Sequence, residues 1–313
     1  MKGGSVTLSN DAIYMGVQFW WFYDVIAVAT ILICLFITVK RGFLKAAVSL
    51  LGYVLALFIA LSLSSSIGSS IYSKSVRESN VKKMDQALSE NEFSEELAKY
   101  LESLGYNVKV DRDKLTGIYI KGEDVDENIY TYLNNINGRK VESEEGIFYN
   151  KLHEGYATVM SGLVSKHLSE YSAECAAKEI REHPTKFYGF MKLMDEPDSR
   201  RAPAEFIVDN YLKAPYVSVI KLITLIVMLI IFLVLTIIIS TTAGKNDKME
   251  PSIVTHVICG LIGIFKGAVF VFLIAVMVRL YVVFGSNKML FFNHEAIDKT
   301  FIFKYIYDIV KGI

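Results

Sequence analysis

Cysteine is scarce in this 313-residue chain, with three in all. Cys34 and Cys259 fall inside apolar runs, where free cysteine behaves as a small packing residue. Only Cys175 lies in the polar middle, and with no partner in its own segment it forms no intradomain disulfide. A disulfide framework of the small secreted kind is therefore excluded, while an intermolecular bridge through Cys175 stays open. Neither sign of charge is in excess: 33 basic residues face 33 acidic ones, which gives no support to nucleic-acid binding. Chemistry-bearing motifs are missing as well. His153, His167 and His183 make no His-Glu-x-x-His pair or tight metal spacing, although Glu154 follows His153, and they read as surface or capping histidines. Ser161, between Met160 and Gly162, lacks the preceding glycine of a nucleophile elbow. With no Gly-rich phosphate loop and no paired-cysteine motif either, the expectation is no catalytic residue, no metal and no cofactor.

What the chain has in abundance is apolar length. Hydrophobic residues make up 52% of it and the mean hydropathy is +0.36, with the apolar residues concentrated at the two ends; these values point to a membrane class. From Val17 to Val39 the only ionisable side chain is Asp24, and about 20 apolar residues suffice to cross a hydrocarbon core. The chain folds back at Lys40-Arg41-Gly42-Phe43-Leu44-Lys45 and returns through Leu44 to Leu63, a second span. Along this span Gly52, Ala56, Ala60, Ser64 and Gly68 recur every four residues, a stripe of small side chains that reads as a contact face, within the molecule rather than between copies. Met1 to Gly16 lacks the basic cluster of a secretory n-region, and a basic stop-transfer turn stands where a cleavage site would be, so the first helix is expected to stay attached. Trp20 to Tyr23 mark the interface at its start.

The short turn with Lys40, Arg41 and Lys45 places itself in the cytoplasm by the positive-inside rule. That puts the N-terminus and the polar middle outside. The middle, Lys74 to Lys213, carries 26 acidic against 20 basic residues, a balance suited to an exported segment. Val76 to Leu104 reads as helix, Tyr106 to Lys121 as a β-hairpin around Asp111-Arg112-Asp113-Lys114, and Val125 to Asn135 as helix. Gly138 to Gly146 reads as loop, and helical periodicity then runs from Leu152 to about Arg181, stopped by His183-Pro184. Asp195 to Pro203 looks like an exposed loop.

Val217 to Ile239 is a third span, apolar on all sides and so largely lipid-facing, with Lys221 snorkelling outward. Ser240 to Pro251, with Lys245, returns the chain on the inside. Ser252 to Phe284 exceeds one perpendicular crossing. Gly260, Gly263, Lys266 and Gly267 suggest a break there, with an interfacial or re-entrant segment from Pro251 to Phe265 before a crossing from Gly267 to Phe284; a single tilted helix is the alternative. Asp24 and Arg279 come out at similar depth, which allows an ion pair, with Lys221 as competitor, or separate roles: Asp24 capping its own helix and Arg279 snorkelling.

The expected fold is an all-α integral membrane bundle of about four transmembrane helices as two helical hairpins, with an inserted small α-rich (α+β) extracytoplasmic domain. The expected divisions are an N-terminal tail (1–16), a first hairpin (17–72), the inserted domain (73–214), a second hairpin with a broken last helix (215–285) and an aromatic amphipathic C-terminal tail (286–313).

Several of these stretches together resemble the colicin V production protein (CvpA) family of bacterial inner-membrane proteins. The likeness rests on Asp24 at the first helix, Lys40-Arg41-Gly42-Phe43 at the first turn with Leu50-Leu51-Gly52 beyond it, Gly260-Leu-Ile-Gly263-Ile-Phe-Lys266-Gly267 in the last span, and the aromatic ending Ile297 to Tyr307. It covers the two membrane ends, about half the chain, and implies nothing firm for residues 73 to 214. What it implies is a multi-pass protein of the cytoplasmic membrane linked to toxin production or export and to envelope maintenance, without catalytic residues. The function expected is a non-enzymatic scaffold or accessory factor; its partners would be the lipid bilayer, an envelope protein engaged by the outer domain, and a second copy in a homo-oligomer. A small transporter or channel subunit is the alternative, since a Gly-rich helix bearing a lysine is how secondary transporters build midplane sites. The depth of Lys266 separates the two.

Overall fold

The computed structural model describes residues 19–90, 93–195, 200–243, 252–285 and 292–313. The expectations placed on the N-terminal tail and on the Lys245 loop lie outside these residues. The chain forms two compact units: a membrane unit from residues 1–70 and 218–313, and an inserted unit, Ile71–Val217.

The membrane unit contains α1 (Trp21–Val39), α2 (Phe43–Ile71), α11 (Lys213–Ala243) and α12 (Ile253–Phe284), then the short α13 (His294–Asp298) and α14 (Phe303–Lys311). All four long stretches are apolar and long enough to cross a bilayer, so the chain is a helical membrane protein. In α12, 56% of the most apolar window is buried, against 22 to 28% in the other three, which makes α12 the central helix. Its side chains share one core with Tyr23 and Ala27 of α1, Ala60 of α2, and Leu222, Leu225 and Leu229 of α11. A second patch joins Tyr53, Ala56, Leu233 and Val269, and a third joins Ala46, Cys259 and Ile262. Buried Leu222, Leu225, Leu229, Leu233, Thr236 and Ser240 follow a three-to-four spacing along α11, and its other faces are exposed.

The break expected in the last span is not there. Ile253 to Phe284 is one helix, about 48 Å long at 1.5 Å per residue. Ser252 starts it, its hydroxyl accepting from Thr255 N at 3.2 Å, the usual role of serine at a helix N-cap. Two of the glycines that suggested a break, Gly263 and Gly267, serve close packing instead, and glycine persists inside membrane helices for that reason.

The inserted unit is all helix among the described residues: α3 (Arg77–Glu90), α4 (Phe93–Ser103), α5 (Arg112–Lys121), α6 (Val125–Asn137), α7 (Glu145–His167), α8 (Glu170–Glu182), α9 (Pro184–Lys192) and α10 (Arg201–Ile207). Its core is aromatic. Phe187 stacks on Phe190 at 4.9 Å, and Phe93 meets both edge-on at 5.6 and 5.3 Å, with Tyr119, Tyr156 and Phe148 buried beside them. Two single turns of π-helix, Tyr72–Val76 and Val208–Leu212, meet where the unit's two ends come together: Tyr72 Oη donates to Val208 O, and Arg77 forks onto Asp209 at 2.8 and 2.6 Å.

The β-hairpin expected at Tyr106 to Lys121 is replaced by α5. Asp111 caps it, accepting from Asp113 N and Lys114 N at 2.9 and 3.2 Å. Leu115 and Tyr119, buried one turn apart, complete a helical stripe, and Gly122 ends the helix at φ +67°, a left-handed conformation that glycine adopts without strain. The alternation of Tyr106, Val108 and Val110 signals an extended segment, but the aspartate cap commits the residues after it to helix. The long helix expected to run to Arg181 is two helices, because Ser169 starts a new one by accepting from Ser172 N, again an N-cap. Similarly, Val76 to Leu104 divides into α3 and α4. Part of the loop expected at Asp195 to Pro203 lies outside the described residues, and its end is already helical from Arg201.

Candidate functional site

The residues singled out in the membrane unit gather at three places. The first is the seam between α1 and α12. A Cβ added to Gly263 would lie 2.6 Å from Leu35 Cα and 3.0 Å from the Cys34 carbonyl, and one at Gly267 would lie 2.6 Å from Ile31 Cα. Gly263 and Gly267 therefore bring two backbones into direct contact. Gly260 is different: a Cβ there would meet only Val39 Cγ2, at 3.7 Å.

That seam delivers Lys266 to the turn that carries Lys40, Arg41 and Gly42. Lys266 is only 7% exposed, and its Nζ sits 5.3 Å from the centroid of the Tyr53 ring, an arrangement favoured by the ring's negative face. Arg41 and Lys45 lie within its electrostatic reach. A cavity of about 300 Å³ opens beside it, lined by Thr30, Ile33, Cys34, Ile37, Arg41 and Phe270 as well as Lys266. A second, of about 260 Å³, lies over the turn and is walled by Lys40, Arg41, Gly42, Thr255 and His256 among others. Arg41 belongs to both. Cys34 is five residues short of Val39, the end of α1, or roughly 7.5 Å along the axis. Lys266, which shares a cavity wall with Cys34, therefore stands about one and a half turns from the Lys40-turn end of α1. Lys40 covers the Phe36 ring at 4.1 Å.

The second place is the small-residue stripe of α2, which faces α11. Ala56 and Ala60 are buried, a Cβ at Gly52 would collide with Thr236 Cγ2 at 2.3 Å, and one at Gly68 would lie 2.9 Å from Lys221 Cγ. The stripe is an intramolecular seam.

At the opposite end of the unit, neither arrangement expected for Asp24 is present. Its carboxylate does not cap its own helix and does not pair with Arg279. It accepts from three consecutive backbone N–H groups, Phe301 at 2.7 Å and Ile302 and Phe303 at 2.9 Å, and so closes the N-terminus of α14. A carboxylate suits a site where unsatisfied donors and the helix dipole converge. Tyr23 stacks on Phe303 at 5.0 Å and Trp20 meets Phe301 edge-on at 5.2 Å. Arg279 instead faces His294, with Nη1 to Nε2 at 3.2 Å, and the Tyr307 hydroxyl. A guanidinium only donates, so Nε2 accepts and the imidazole is neutral. Burial first, then the Arg279 charge, lowers the His294 pKa.

In the inserted unit His153 is paired with Asp126 at 2.5 Å, and Tyr156 Oη donates to the same carboxylate at 3.0 Å. This knot ties α6 to α7; burial raises the Tyr156 pKa strongly, with Asp126 adding to it. The expectation of a surface histidine is corrected here, since residues 126 and 153 have no sequence relation that signals contact. Glu179, Glu182 and His183 bring ligand atoms within 4.8 Å of one another, but Glu179 already holds Lys186 at 3.1 Å, and the group is surface-lying.

Sequence reasoning missed Tyr53, Cys34 and Phe270 as neighbours of Lys266, and His294 and Tyr307 as neighbours of Arg279. Searches against protein-family models, curated proteins and solved structures found no match for this chain.

Proposed function

We propose that the protein is a non-enzymatic accessory or scaffold factor of a bacterial cytoplasmic membrane, in which the four spans anchor a helical domain on the outer face that engages an envelope protein. The resemblance to the CvpA family extends this reading to toxin production or export and to envelope maintenance. The observation that carries it is the inserted unit: Ile71–Val217 is a compact body with its own aromatic core, set between the second and third spans. Positive charge at the Lys40 turn supports the orientation.

Single cysteines at Arg139 and Thr242, both exposed, in a background without the native three, test topology with a membrane-impermeant thiol reagent. Labelling of intact cells at 139 and not at 242 is expected, and the reverse overturns the orientation. Photocrosslinkers at exposed positions of α5 and α6 should then yield discrete adducts in cells; if only bilayer-facing positions of α11 yield them, the partner-binding role of the domain falls.

A transporter or channel subunit is the second reading, favoured by the cavity beside Lys266. Solute flux in proteoliposomes that vanishes with Lys266→Gln would select it over the scaffold.

A further inference from the structure

The cluster at the Lys40 end of the membrane unit has an unusual charge composition. Arg41, Lys45 and Lys266 converge there, with Lys40 and His256 on the rim of the adjoining cavity. No carboxylate comes after Asp24 in α1, and α2, α11 and α12 contain none. Lys266 is nearly buried and its ammonium has an aromatic face in place of a counter-ion. Buried cations are normally paired, and among the described residues no carboxylate of these helices lies beside Lys266, so the site has room for an anion from outside the chain.

The shape of the site says which kind. The cavity beside Lys266 has cations at one end, whereas Ile33 and Ile37 on its wall are 58% and 40% exposed, on the apolar flank of a spanning helix where the solvent is acyl chain. Through Arg41 it continues to the cavity over the turn, where Lys40, Thr255 and His256 supply a polar rim. A volume of about 300 Å³ is at the small end for ligand pockets and suits one headgroup. A guanidinium forks onto phosphate oxygens and an ammonium adds a point charge. Basic pockets between spanning helices hold anionic lipid headgroups by this chemistry.

We propose that the α1–α12 crevice around Arg41 and Lys266 is a binding site for the phosphate of an anionic membrane lipid, whose chains lie along Ile33 and Ile37. This goes beyond the scaffold reading and does not depend on the inserted domain or on which face it occupies.

The test uses the full-length protein, purified in mild detergent and stripped of lipid. Native mass spectrometry and thermal unfolding track its titration with phosphatidylglycerol, phosphatidylcholine or inorganic phosphate. Phosphatidylglycerol should bind and raise the unfolding temperature; phosphatidylcholine should do neither. Arg41→Gln and Lys266→Gln should each weaken phosphatidylglycerol on the order of tenfold or more, the loss expected for a charge-assisted hydrogen bond, while Lys221→Gln should not. Arg41 is half-buried in a turn, so its variant remains informative if Lys266→Gln fails to fold. Equal stabilisation by both lipids, or undiminished phosphatidylglycerol binding by Arg41→Gln, overturns the proposal. Stabilisation by inorganic phosphate as strong as that by phosphatidylglycerol overturns the lipid assignment and makes this a soluble-anion site.

Discussion

Replacing Gly263 by alanine adds one methyl group at the point where α12 meets the backbone of α1. That methyl would lie 2.6 Å from Leu35 Cα, about 0.9 Å inside the roughly 3.5 Å at which carbons touch comfortably. The obstacle is main chain, so no rotamer relieves it and the helices must separate. Overpacking of this kind costs about 1 to 3 kcal/mol. Against it stands the helical preference of alanine over glycine, about 0.8 to 1 kcal/mol, so Gly263→Ala should lose up to about 2 kcal/mol net, and Gly267→Ala the same. Gly260→Ala supplies the control, because its methyl meets only Val39 Cγ2 at 3.7 Å and should be neutral or stabilising by up to about 1 kcal/mol. Cys34 and Cys259 are reduced thiols buried in this unit, so a thiol-reactive fluorophore reports its unfolding once Cys175 is changed to serine. Heating in detergent should give midpoints in the order Gly260→Ala, wild type, Gly263→Ala. A Gly263→Ala protein at least as stable as Gly260→Ala would refute the close-packed seam.

Asp24→Asn should weaken the docking of α14 by about 1 to 3 kcal/mol, the range for hydrogen bonds to a charged group, seen as faster amide exchange across residues 301–311. Arg279→Gln should add to it within about 0.5 kcal/mol because the two share no partner; strong coupling would contradict the separate contacts described. Ala56→Leu should destabilise the membrane unit by about 1 to 3 kcal/mol, while Val54→Leu, on an exposed face, should be silent. His294 has a lowered pKa in the folded protein, so the unfolded chain takes up the proton first. Its contribution is therefore undiminished above its ordinary value of 6.5, and stability falls as pH drops below that value until the folded imidazole is protonated too. His294→Gln should flatten that part of a stability-against-pH curve.

Apolar length made the membrane class and the four spans legible, since periodicity is not needed to recognise about 20 residues without charge. The four-residue recurrence of small side chains likewise marked the face of α2 that meets α11. Two kinds of feature were not legible. One is a local capping choice that overrides residue pattern: Asp111 turns an alternating stretch into α5, and Ser169 divides one periodic run into two helices. The other is the partner of a polar group far away in sequence. Asp24 and Arg279 were rightly placed at one end of the unit, but depth alone cannot reveal that a backbone almost 280 residues away offers the carboxylate three donors. Glycine in α12 shows the same limit, because whether it breaks a helix or seats a neighbour depends on α1 arriving there.

The junction between Asp24 and residues 301–303 orders events during synthesis. Asp24 precedes its three donors by almost 280 residues, so its span is made long before they are. Until then the Asp24 side chain lacks the three backbone donors that hold it in the finished fold. Synthesis of residues 301–303 supplies the latch, and a chain that stalls before residue 301 leaves the start of α1 untied.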